Sequence, residues 1–337
     1  MTDEFYTQWA DIEREMNAYL EYNPDVLRDK VVLLPCDDPE WSNFTKFFAL
    51  HFVDFGLKKL ISASYAPNSN DGGAYYQPTL FGDPQFDEAR DLVKGKLFVL
   101  EPKHISGDGM VDVDDLRWTY LDGDGDFRSA EVTRPRDEAD IVITNPPFSL
   151  FRELLAWLVD GGKLFSVIGN SNAVTYKEVF PLIKGNRLWK GATGNTTDMV
   201  FGVPDGAEVA ESDRLKAEWL GYRGNYTRLG NSCWLTSIDH GRRHEPLQLM
   251  TEADNLKFSR HKEVRGTGYA RYENYDAMEI PFTDAIPSDY DGGMGVPISF
   301  LDKYNPDQFE IVGTLESNDP DNAFRTRVYS SQECREA

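Results

Sequence analysis

Cysteine is scarce in this sequence, and the three that occur lie far apart. Cys36, Cys233 and Cys334 form no CxxC pair, which argues against a disulfide framework or a zinc ribbon and favours a reducing compartment such as the cytoplasm. No stretch approaches the roughly 18 consecutive apolar residues of a membrane span, so no membrane span is expected. The opening residues MTDEFYTQWADIEREM lack the basic and then apolar order of a secretory signal.

Positive charge is also in short supply. The chain has 57 acidic and 35 basic residues and a formal net charge of −22, whereas proteins that bind nucleic acid usually present a basic surface. Residues 221–275 depart from this balance, with nine Lys and Arg against six Asp and Glu, a net of +3 that leaves −25 for the rest. Because screening limits the reach of the acidic part, this segment can still contact phosphates. Charge alone slightly disfavours nucleic-acid binding.

The composition is that of a folded globular protein. With 337 residues, 40% of them hydrophobic and 13% aromatic, the chain can bury the core of one large or two smaller domains. Apolar residues near the start recur at three- and four-residue spacing, which predicts an amphipathic helix within residues 1–30, with Thr2 or Asp3 as its N-cap. These apolar residues are Phe5, Trp9, Ile12, Met16 and Tyr19.

A strand–helix–strand pattern follows. Val31–Leu34 is a continuous apolar run, typical of a strand that is covered on both faces. Ser42 is placed to cap the next helix, and residues 60–64 form a second predicted strand. The segment DIVIT, the helix after it and the strand KLFSVIGNSNA repeat the same order. The repetition predicts an α/β fold with a parallel, Rossmann-like sheet over residues 31–205.

Beyond residue 205 this regular pattern is lost. Residues 206–295 intermix aromatic residues, Arg, Gly and Asn without a clear period, and we expect an irregular insertion or a second domain there. Residues 296–337 return to strand-like order and are expected to rejoin the first domain. At the end of the chain, Ser330 or Ser331 resembles the N-cap of a helix that does not develop.

The tetrapeptide NPPF directly follows the predicted strand DIVIT. Two prolines at a strand end are compatible with a rigid turn alone. The exocyclic amine of adenine, however, has two N–H donors and a lone pair delocalised into the ring, and the Asn145 side-chain oxygen and the Pro146 carbonyl can accept both donors. Pro147 would stiffen the loop, and Phe148 would stack on a flipped-out base. The carboxyl edge of a parallel sheet is where α/β sites form, which favours the catalytic interpretation.

The segment DIVITNPPFSLFRELL resembles the motif of amino-methylating DNA methyltransferases. Five further blocks occur in order along the chain: PCDDPEWSNFTKFFALHF, GLKKLISASYA, GDGDFRSAE, IGNSNAVTYKEVFPLIKGNRLW and MGVPISFLDKYNPDQFEIVG. Together they resemble the EcoRI-type adenine-specific DNA methyltransferase family. The resemblance implies a Rossmann-like S-adenosylmethionine-dependent methyltransferase sheet with an irregular DNA-recognition insertion. Residues 31–205 would be the catalytic domain and residues 206–295 the target-recognition region.

The resemblance also suggests where S-adenosylmethionine would bind. Many methyltransferases carry a Gly-rich loop after the first strand, but here that place is held by PCDDPEWSNF, which has no glycine. Pro35 and Cys36 lie in this loop. Asp37 or Asp38 is expected to accept from the cofactor's ammonium or ribose hydroxyls. Ser42 and the helix N-terminus are expected to receive its carboxylate.

A second acidic segment, GDGDF, supplies the rest of the predicted cofactor site. The resemblance implies that Asp126 accepts from the adenine amine of the cofactor while Phe127 packs on its ring. The alternation of Asp122, Asp124 and Asp126 also resembles a calcium loop. An EF-hand needs Gly at the sixth position and a carboxylate at the twelfth, where this chain has Phe127 and Thr133. No metal is therefore expected.

Two ring-rich stretches, GYRGNYTRLGNSCWL and FSRHKEVRGTGYARYENY, mix basic residues with Tyr and Trp. The mixture suits contacts to phosphates and base edges, and it is equally compatible with a half-buried surface. Asn170 and Asn172 either line the target pocket or satisfy a turn. The candidate DNA-binding residues are Arg223, Arg228, Arg242, Arg243, Lys262 and Arg265.

The leading hypothesis is a cytoplasmic DNA adenine-N6 methyltransferase that uses S-adenosylmethionine and binds double-stranded DNA, as a monomer or as a dimer. It would act in restriction-modification, beside a separate endonuclease, or as a phage's protective enzyme. Two alternatives stay open. One is amino-methylation of cytosine N4, RNA or a protein glutamine, and Asn rather than Ser at the first motif position counts against cytosine. The other is a non-catalytic DNA-binding module, which the intact NPPF disfavours.

Overall fold

A computed structural model describes residues 5–66, 87, 90, 92–105, 118–193, 198–204, 206–273 and 276–314. The chain divides into two compact units. The first, called the sheet unit here, consists of Met1–Val174 and Leu188–Gly241. The second unit consists of Thr175–Arg187 and Arg242–Ala337.

The described residues form thirteen strands and seven α-helices. The strands are β1 (Tyr6–Thr7), β2 (Val31–Leu34), β3 (Lys59–Ala63), β4 (Lys96–Leu100), β5 (Trp118–Tyr120), β6 (Ile141–Thr144), β7 (Leu164–Asn170), β8 (Trp189–Lys190), β9 (Val200–Gly202), β10 (Tyr226–Arg228), β11 (Ser232–Thr236), β12 (Ala277–Glu279) and β13 (Gly293–Gly295). The helices are α1 (Trp9–Tyr22), α2 (Asn43–Leu50), α3 (Ala130–Glu138), α4 (Phe151–Asp160), α5 (Phe180–Lys184), α6 (Glu211–Trp219) and α7 (Glu252–Phe258).

The sheet unit is built on one mixed sheet with the strand order β5-β4-β3-β2-β6-β7-β11-β8. Its centre is parallel, since β2 pairs in parallel with β3 and β6, and β6 with β7. The flanks are antiparallel, at β4 and β5 on one side and at β11 and β8 on the other. The α/β fold class expected from the sequence is confirmed, as a sheet that is parallel only in its middle.

The central strands are buried because their sequences suit that position. Every residue of β2 (VVLL) and of β6 (IVIT) is buried, and such continuous apolar runs are typical of strands covered on both faces. From β2 the chain passes through α2 to β3 on one side of the sheet. From β6, which lies on the other side of β2, it passes through α4 to β7, farther from β2. The loops after β2 and β6 therefore leave in opposite directions and open a crevice at the carboxyl edge.

The amphipathic N-terminal helix is confirmed as α1, and its buried face includes Ile12, Met16 and Tyr19. The expected N-cap at Thr2 or Asp3 is wrong, because Gln8 occupies that position. The physical reason lies in the residues just before it, which form β1 and pair antiparallel with β9. Ser42 does cap α2 as expected, and its hydroxyl accepts a hydrogen bond from the Phe44 amide at 3.1 Å.

The division of the chain differs from the boundary expected at residue 205. Residues 206–241 belong to the sheet unit and supply β11, whose five residues are all buried between β7 and β8. Residues 296–314 belong to the second unit rather than to the first. They contain a 3-10 helix, Ile298–Asp302, and no strand. The N-cap proposed at Ser330 or Ser331 lies outside the described residues.

The second unit has a small apolar core of its own. Parallel strands β12 and β13 pair there, and the buried core residues are Met278, Ile280, Ile286 and Phe300. Residues 175–187, which precede β8 in the chain, belong to this unit.

Candidate active site

Asp37 is the centre of a buried hydrogen-bond network where β2 ends. The Ser42 hydroxyl donates to its Oδ1 at 2.7 Å, and the Thr144 hydroxyl donates to its Oδ2 at 2.6 Å. The Asp37 amide donates to the Ala63 carbonyl at 3.0 Å. Burial, which outweighs the two hydroxyl donors, raises the pKa of this carboxyl to about 7. The ends of β2, β3 and β6 are thus tied together at the crevice.

Asn145 follows β6 with its side-chain amide held in one orientation. Its Nδ2 donates to the Phe5 carbonyl oxygen at 2.6 Å. Because that carbonyl can only accept, the atom facing it must be the NH₂ group, which turns Oδ1 the other way. Within the described part of the chain, this Oδ1 is buried and has no hydrogen-bond partner. A buried acceptor without a partner calls for an explanation, and a donor on a ligand is one.

The rest of the tetrapeptide forms a rigid entry into α4. Pro146 is buried, and Pro147 and Phe148 are half-buried. Pro147 has φ −53° and ψ 128° and precedes a 3-10 turn, Phe148–Leu150, that leads directly into α4. The Phe148 ring stacks on Phe5 with centroids 5.5 Å apart and planes inclined by 25°. The prediction that NPPF ends a strand and begins a helix is confirmed.

The GDGDF segment lies against the end of β3. The Ala66 amide donates to the Asp124 carbonyl at 2.8 Å. Gly125 has φ +83°, and a Cβ there would clash with the Ser64 carbonyl oxygen. Only glycine fits this backbone without strain, because it lacks the Cβ. The close approach fixes Asp126 beside the loops that follow β2 and β3.

Asp126 is already paired in this structure. Both of its carboxylate oxygens accept from the Arg128 guanidinium, and Oδ1 also accepts from the Arg128 amide at 2.8 Å. These hydrogen bonds lower the pKa of Asp126, and Arg128 also contacts Glu153. Phe127 is buried, with its ring edge-to-face against Trp157 at 5.5 Å. The residue pair expected for the cofactor's adenine therefore lies at the carboxyl edge, with Asp126 half-exposed.

The remaining residues of the PCDD loop have different environments. Pro35 is buried and Cys36 is half-buried. Burial and the nearby charges of Asp37 and Asp126 raise the pKa of the Cys36 thiol, so both acidic segments lie close to this thiol. Asp38 is half-buried. Its Oδ1 accepts hydrogen bonds from the backbone N–H groups of residues 40 and 41.

Lys96 is a member of the site that the sequence reasoning missed. Its Nζ lies 2.6 Å from Glu40 Oε2, 3.9 Å from Asp38 Oδ2 and 4.7 Å from the centre of the Trp118 ring. The lysine is buried, so its charge compensates the acidic loop at short range. A signal was present in the sequence, where this lysine begins the apolar run KLFVL, since lysine is rarely buried unless it is paired. The roles of Thr144 and Phe5 in the site were also missed, because no motif or spacing in the sequence points to them.

The predicted DNA-binding residues fall into two environments. Arg223, Lys262 and Arg265 are exposed. Arg228 is half-buried, and its Nη2 pairs with Asp198 Oδ1 at 2.5 Å.

Arg242 is half-buried, whereas Arg243 is buried and donates to Asn186. The phosphate contacts of Arg228 and Arg243 stay predictions. The pairing of both side chains within the protein does not favour such contacts. Asn170 accepts from the Asn172 amide at 2.9 Å, which is the turn described as one of the two alternatives for these residues.

The described residues contain no group of three or more His, Cys, Asp and Glu side chains arranged to hold a metal ion. In the same part of the chain, none of the helices combines the length and apolar character needed to cross a membrane.

Known proteins of one kind are similar to this chain along most of its length. The family model described as adenine-specific methyltransferase EcoRI matches residues 1–336. The type II methyltransferase M.EcoRI of Escherichia coli is 40% identical over 312 residues, which cover 92% of this chain and 85% of that protein. The type II methyltransferase M.MpnI of Mycoplasma pneumoniae is 32% identical over 314 residues, 93% of this chain and 82% of that protein. M.MgeORF184P of Mycoplasma genitalium, also a type II methyltransferase, is 30% identical over 314 residues, 93% and 83% of the two chains. No solved structure matches. This chain belongs to the EcoRI family of adenine-specific methyltransferases.

Proposed function

We propose that this enzyme transfers a methyl group from S-adenosylmethionine to N6 of an adenine flipped out of double-stranded DNA. The observation that carries the proposal is the buried Oδ1 of Asn145, which is without a partner in the described residues while its Nδ2 is held by Phe5. An acceptor fixed in place without a donor is what an incoming amine N–H would satisfy.

The chemistry assigns one task to each residue of the tetrapeptide. The adenine amine is a poor nucleophile because its lone pair is delocalised into the ring. Asn145 Oδ1 and the Pro146 carbonyl would accept its two N–H donors and shift electron density toward the nitrogen. Pro147 limits backbone motion through its fixed φ, and Phe148 would stack on the base. The transfer then depends on position and electrostatics at the moment of displacement.

The cofactor loops fit a cationic molecule that carries an adenine ring. S-adenosylmethionine would supply the reactive sulfonium methyl group. Asp37 directs its carboxylate to Ser42 and Thr144, so its role is to shape the loop. Asp38 is the acid of this pair that is half-exposed and suits the ammonium or a ribose hydroxyl. Asp126 and the buried Phe127 suit the cofactor's adenine.

Contacts to DNA are assigned to the basic residues that face solvent. Arg223, Lys262 and Arg265 are exposed, and long cationic side chains of this kind contact phosphates without reading sequence. Because the relatives are named type II methyltransferases, we assign the enzyme to restriction-modification or to the protection of phage DNA. We further propose that it acts as a monomer in the cytoplasm, separately from any cognate endonuclease.

The test is to incubate the protein with labelled S-adenosylmethionine and unmethylated duplex DNA, and then to digest the DNA to nucleosides. The expected result is label in N6-methyl-2′-deoxyadenosine. Label in N4-methylcytosine, or in RNA or protein substrates offered in parallel, would replace the proposed substrate. Binding of DNA without any transfer would indicate a non-catalytic module.

A further inference from the structure

The segment immediately before α1 crosses the candidate active site. Phe5 accepts the hydrogen bond from Asn145 through its carbonyl oxygen at 2.6 Å. Two residues later, the Thr7 carbonyl accepts from Asn43 Nδ2 of α2 at 2.8 Å. Between these anchors, β1 pairs with β9, with Tyr6 opposite Gly202. The segment is therefore fixed on three sides, by β6, α2 and β9.

The main chain of Phe5 determines how the Asn145 amide is oriented. A free asparagine amide can exchange the positions of its oxygen and nitrogen by rotating half a turn, and the two orientations offer opposite chemistry to a ligand. The Phe5 carbonyl allows only one of them, because it cannot donate. With that bond in place, the atom left for the substrate is the acceptor Oδ1.

The side chain of Phe5 acts on the other functional residue of the motif. Its ring stacks on Phe148, at a centroid distance of 5.5 Å, and meets the ring of Phe201 edge-to-face at 6.0 Å. Rings at this distance are in direct contact, so no base can lie between Phe5 and Phe148. Phe5 supports one face of Phe148, so a base that stacks on Phe148 would have to use the opposite face.

We propose that Phe5 is a positioning residue for methyl transfer. Its carbonyl fixes Asn145 with the acceptor toward the target amine, and its ring fixes the plane of Phe148. This inference rests on the proposed function of Asn145 and Phe148. Phe5 itself touches neither the substrate nor the reacting atoms. Its effect is preorganisation, which acts on the rate of the chemical step rather than on binding.

The test compares Phe5→Ala with two matched variants in single-turnover methylation assays. Phe5→Tyr retains an aromatic ring at the same place. Tyr6→Ala removes a 47% exposed side chain from the next position of the chain.

For Phe5→Ala we expect the transfer rate to fall by about 10-fold or more, since small displacements of reacting groups have effects of this size. The dissociation constants for cofactor and DNA should change by less than about twofold, because the side chain contributes to position and not to binding. Phe5→Tyr and Tyr6→Ala should retain the wild-type rate.

A double-mutant cycle shows whether the Phe5 ring acts through Phe148, since every Phe5 variant keeps the main-chain carbonyl that orients Asn145. In a Phe148→Ala background, the Phe5→Ala change should reduce the rate by much less than it does alone, because residues that act as a unit are not additive. Independent effects that multiply would overturn the proposal, as would an unchanged rate or a loss confined to DNA or cofactor binding. Thermal unfolding of each variant identifies any that fail to fold. If Phe5→Ala does, Phe5→Leu, which keeps the apolar bulk without the ring, replaces it in the cycle.

The two proposals fail in distinguishable ways. If the wild-type protein places no label on adenine, the proposed function is wrong whatever the variants do. If the wild type methylates adenine and Phe5→Ala is equally fast, only the positioning role of Phe5 is wrong.

Discussion

The Thr144 hydroxyl donates a hydrogen bond of 2.6 Å to the carboxylate of Asp37, 107 residues earlier in the chain. The bond joins the ends of two adjacent parallel strands, β2 and β6. The PCDD loop begins after one strand and NPPF begins after the other. Any shift of β6 against β2 is therefore opposed by a buried hydrogen bond, which holds the two candidate subsites in register.

Asp37 should make stability depend on pH in a defined direction. Burial raises the pKa of this carboxyl to about 7 in the folded protein, well above that of an unfolded aspartate, so the folded state favours the protonated form. The stabilisation is fully present below the unfolded pKa and is lost as the pH rises through about 7. Asp37→Asn cannot ionise, and its thermal midpoint should rise relative to wild type between about pH 4 and about pH 7.

The control for this experiment is Asp291→Asn, which neutralises an exposed aspartate and should show no comparable rise. Subtracting the wild-type curve from each variant curve removes the titration of all other groups, since effects of distant sites add. A difference between Asp37→Asn and wild type that stays constant across this pH range would contradict the assignment.

The sequence predicts the middle of the fold and the motif, because both depend on local patterns. Apolar runs identify β2 and β6, Ser42 identifies the start of α2, and NPPF identifies the end of β6. The position of β11 between β7 and β8 has no local signal, since SCWLT reads like any short strand. Its antiparallel pairing is decided by which sheet edge is open once the rest has folded.

The same limit applies within the site. The hydrogen bond between Asn145 and Phe5 spans 140 residues, and an aromatic residue before a helix is compatible with many other contacts. Asp37 and Asp38 are adjacent and chemically alike, yet one is buried and the other half-exposed. That difference is produced by the packing of α2 and β6 around the loop, which no periodicity in the sequence encodes.

Asn145→Ala tests the motif directly. The change removes the acceptor that we assign to the transition state, and the single-turnover transfer rate should fall about 10²-fold or more, as for loss of a comparable donor or acceptor. Affinity for S-adenosylmethionine should stay nearly unchanged. Asn23→Ala, which truncates an exposed asparagine at the end of α1, is the control and should keep the full rate. Equal rates for the two variants would show that the site is elsewhere.

Alanine substitutions at two glycines distinguish the energetic cost of a positive φ from that of a steric clash with the backbone. Gly125 has φ +83° and no room for a Cβ, because of the Ser64 carbonyl, whereas Gly162 has φ +63° and nothing within 4 Å. Gly162→Ala should lower the free energy of unfolding by about 1–2 kcal/mol, the cost of the left-handed conformation. Gly125→Ala should cost more and should also weaken binding of S-adenosylmethionine, measured by calorimetry. Similar losses in both variants would mean that the close approach to Ser64 has no role.

Glu15 is a fully buried carboxylate on α1 that holds the segment after β8. Its Oε1 accepts from the Tyr19 hydroxyl and the Ala192 amide, and its Oε2 accepts from the amide and hydroxyl of Thr193. In Glu15→Gln, either orientation of the new amide places an NH₂ group against a backbone N–H. We expect a loss of about 1–3 kcal/mol in the free energy of unfolding, the usual range for a buried group left unsatisfied.

Amide hydrogen exchange locates that effect. The Ala192 and Thr193 amides should exchange faster in Glu15→Gln than in wild type, because their acceptor is gone. Glu13→Gln, an exposed change on the same helix, should leave both stability and exchange at wild-type values. Unaltered protection of the two amides in Glu15→Gln would exclude this anchoring role.

The basic residues divide into those available to DNA and those used within the protein, and salt dependence can tell them apart. Arg265 is exposed, whereas Arg243 is buried and donates to Asn186. Arg265→Ala should weaken DNA binding equally for all sequences and reduce the slope of log K against log salt concentration by about 1, because one phosphate contact is lost. Arg243→Ala should instead lower the thermal midpoint, since it removes a buried side chain and its packing from the second unit. The control is Arg28→Ala, which removes an exposed arginine paired with Asp25 and should leave the slope unchanged. A slope that responds to Arg28 as strongly as to Arg265 would mean that the exposed arginines act only through net charge.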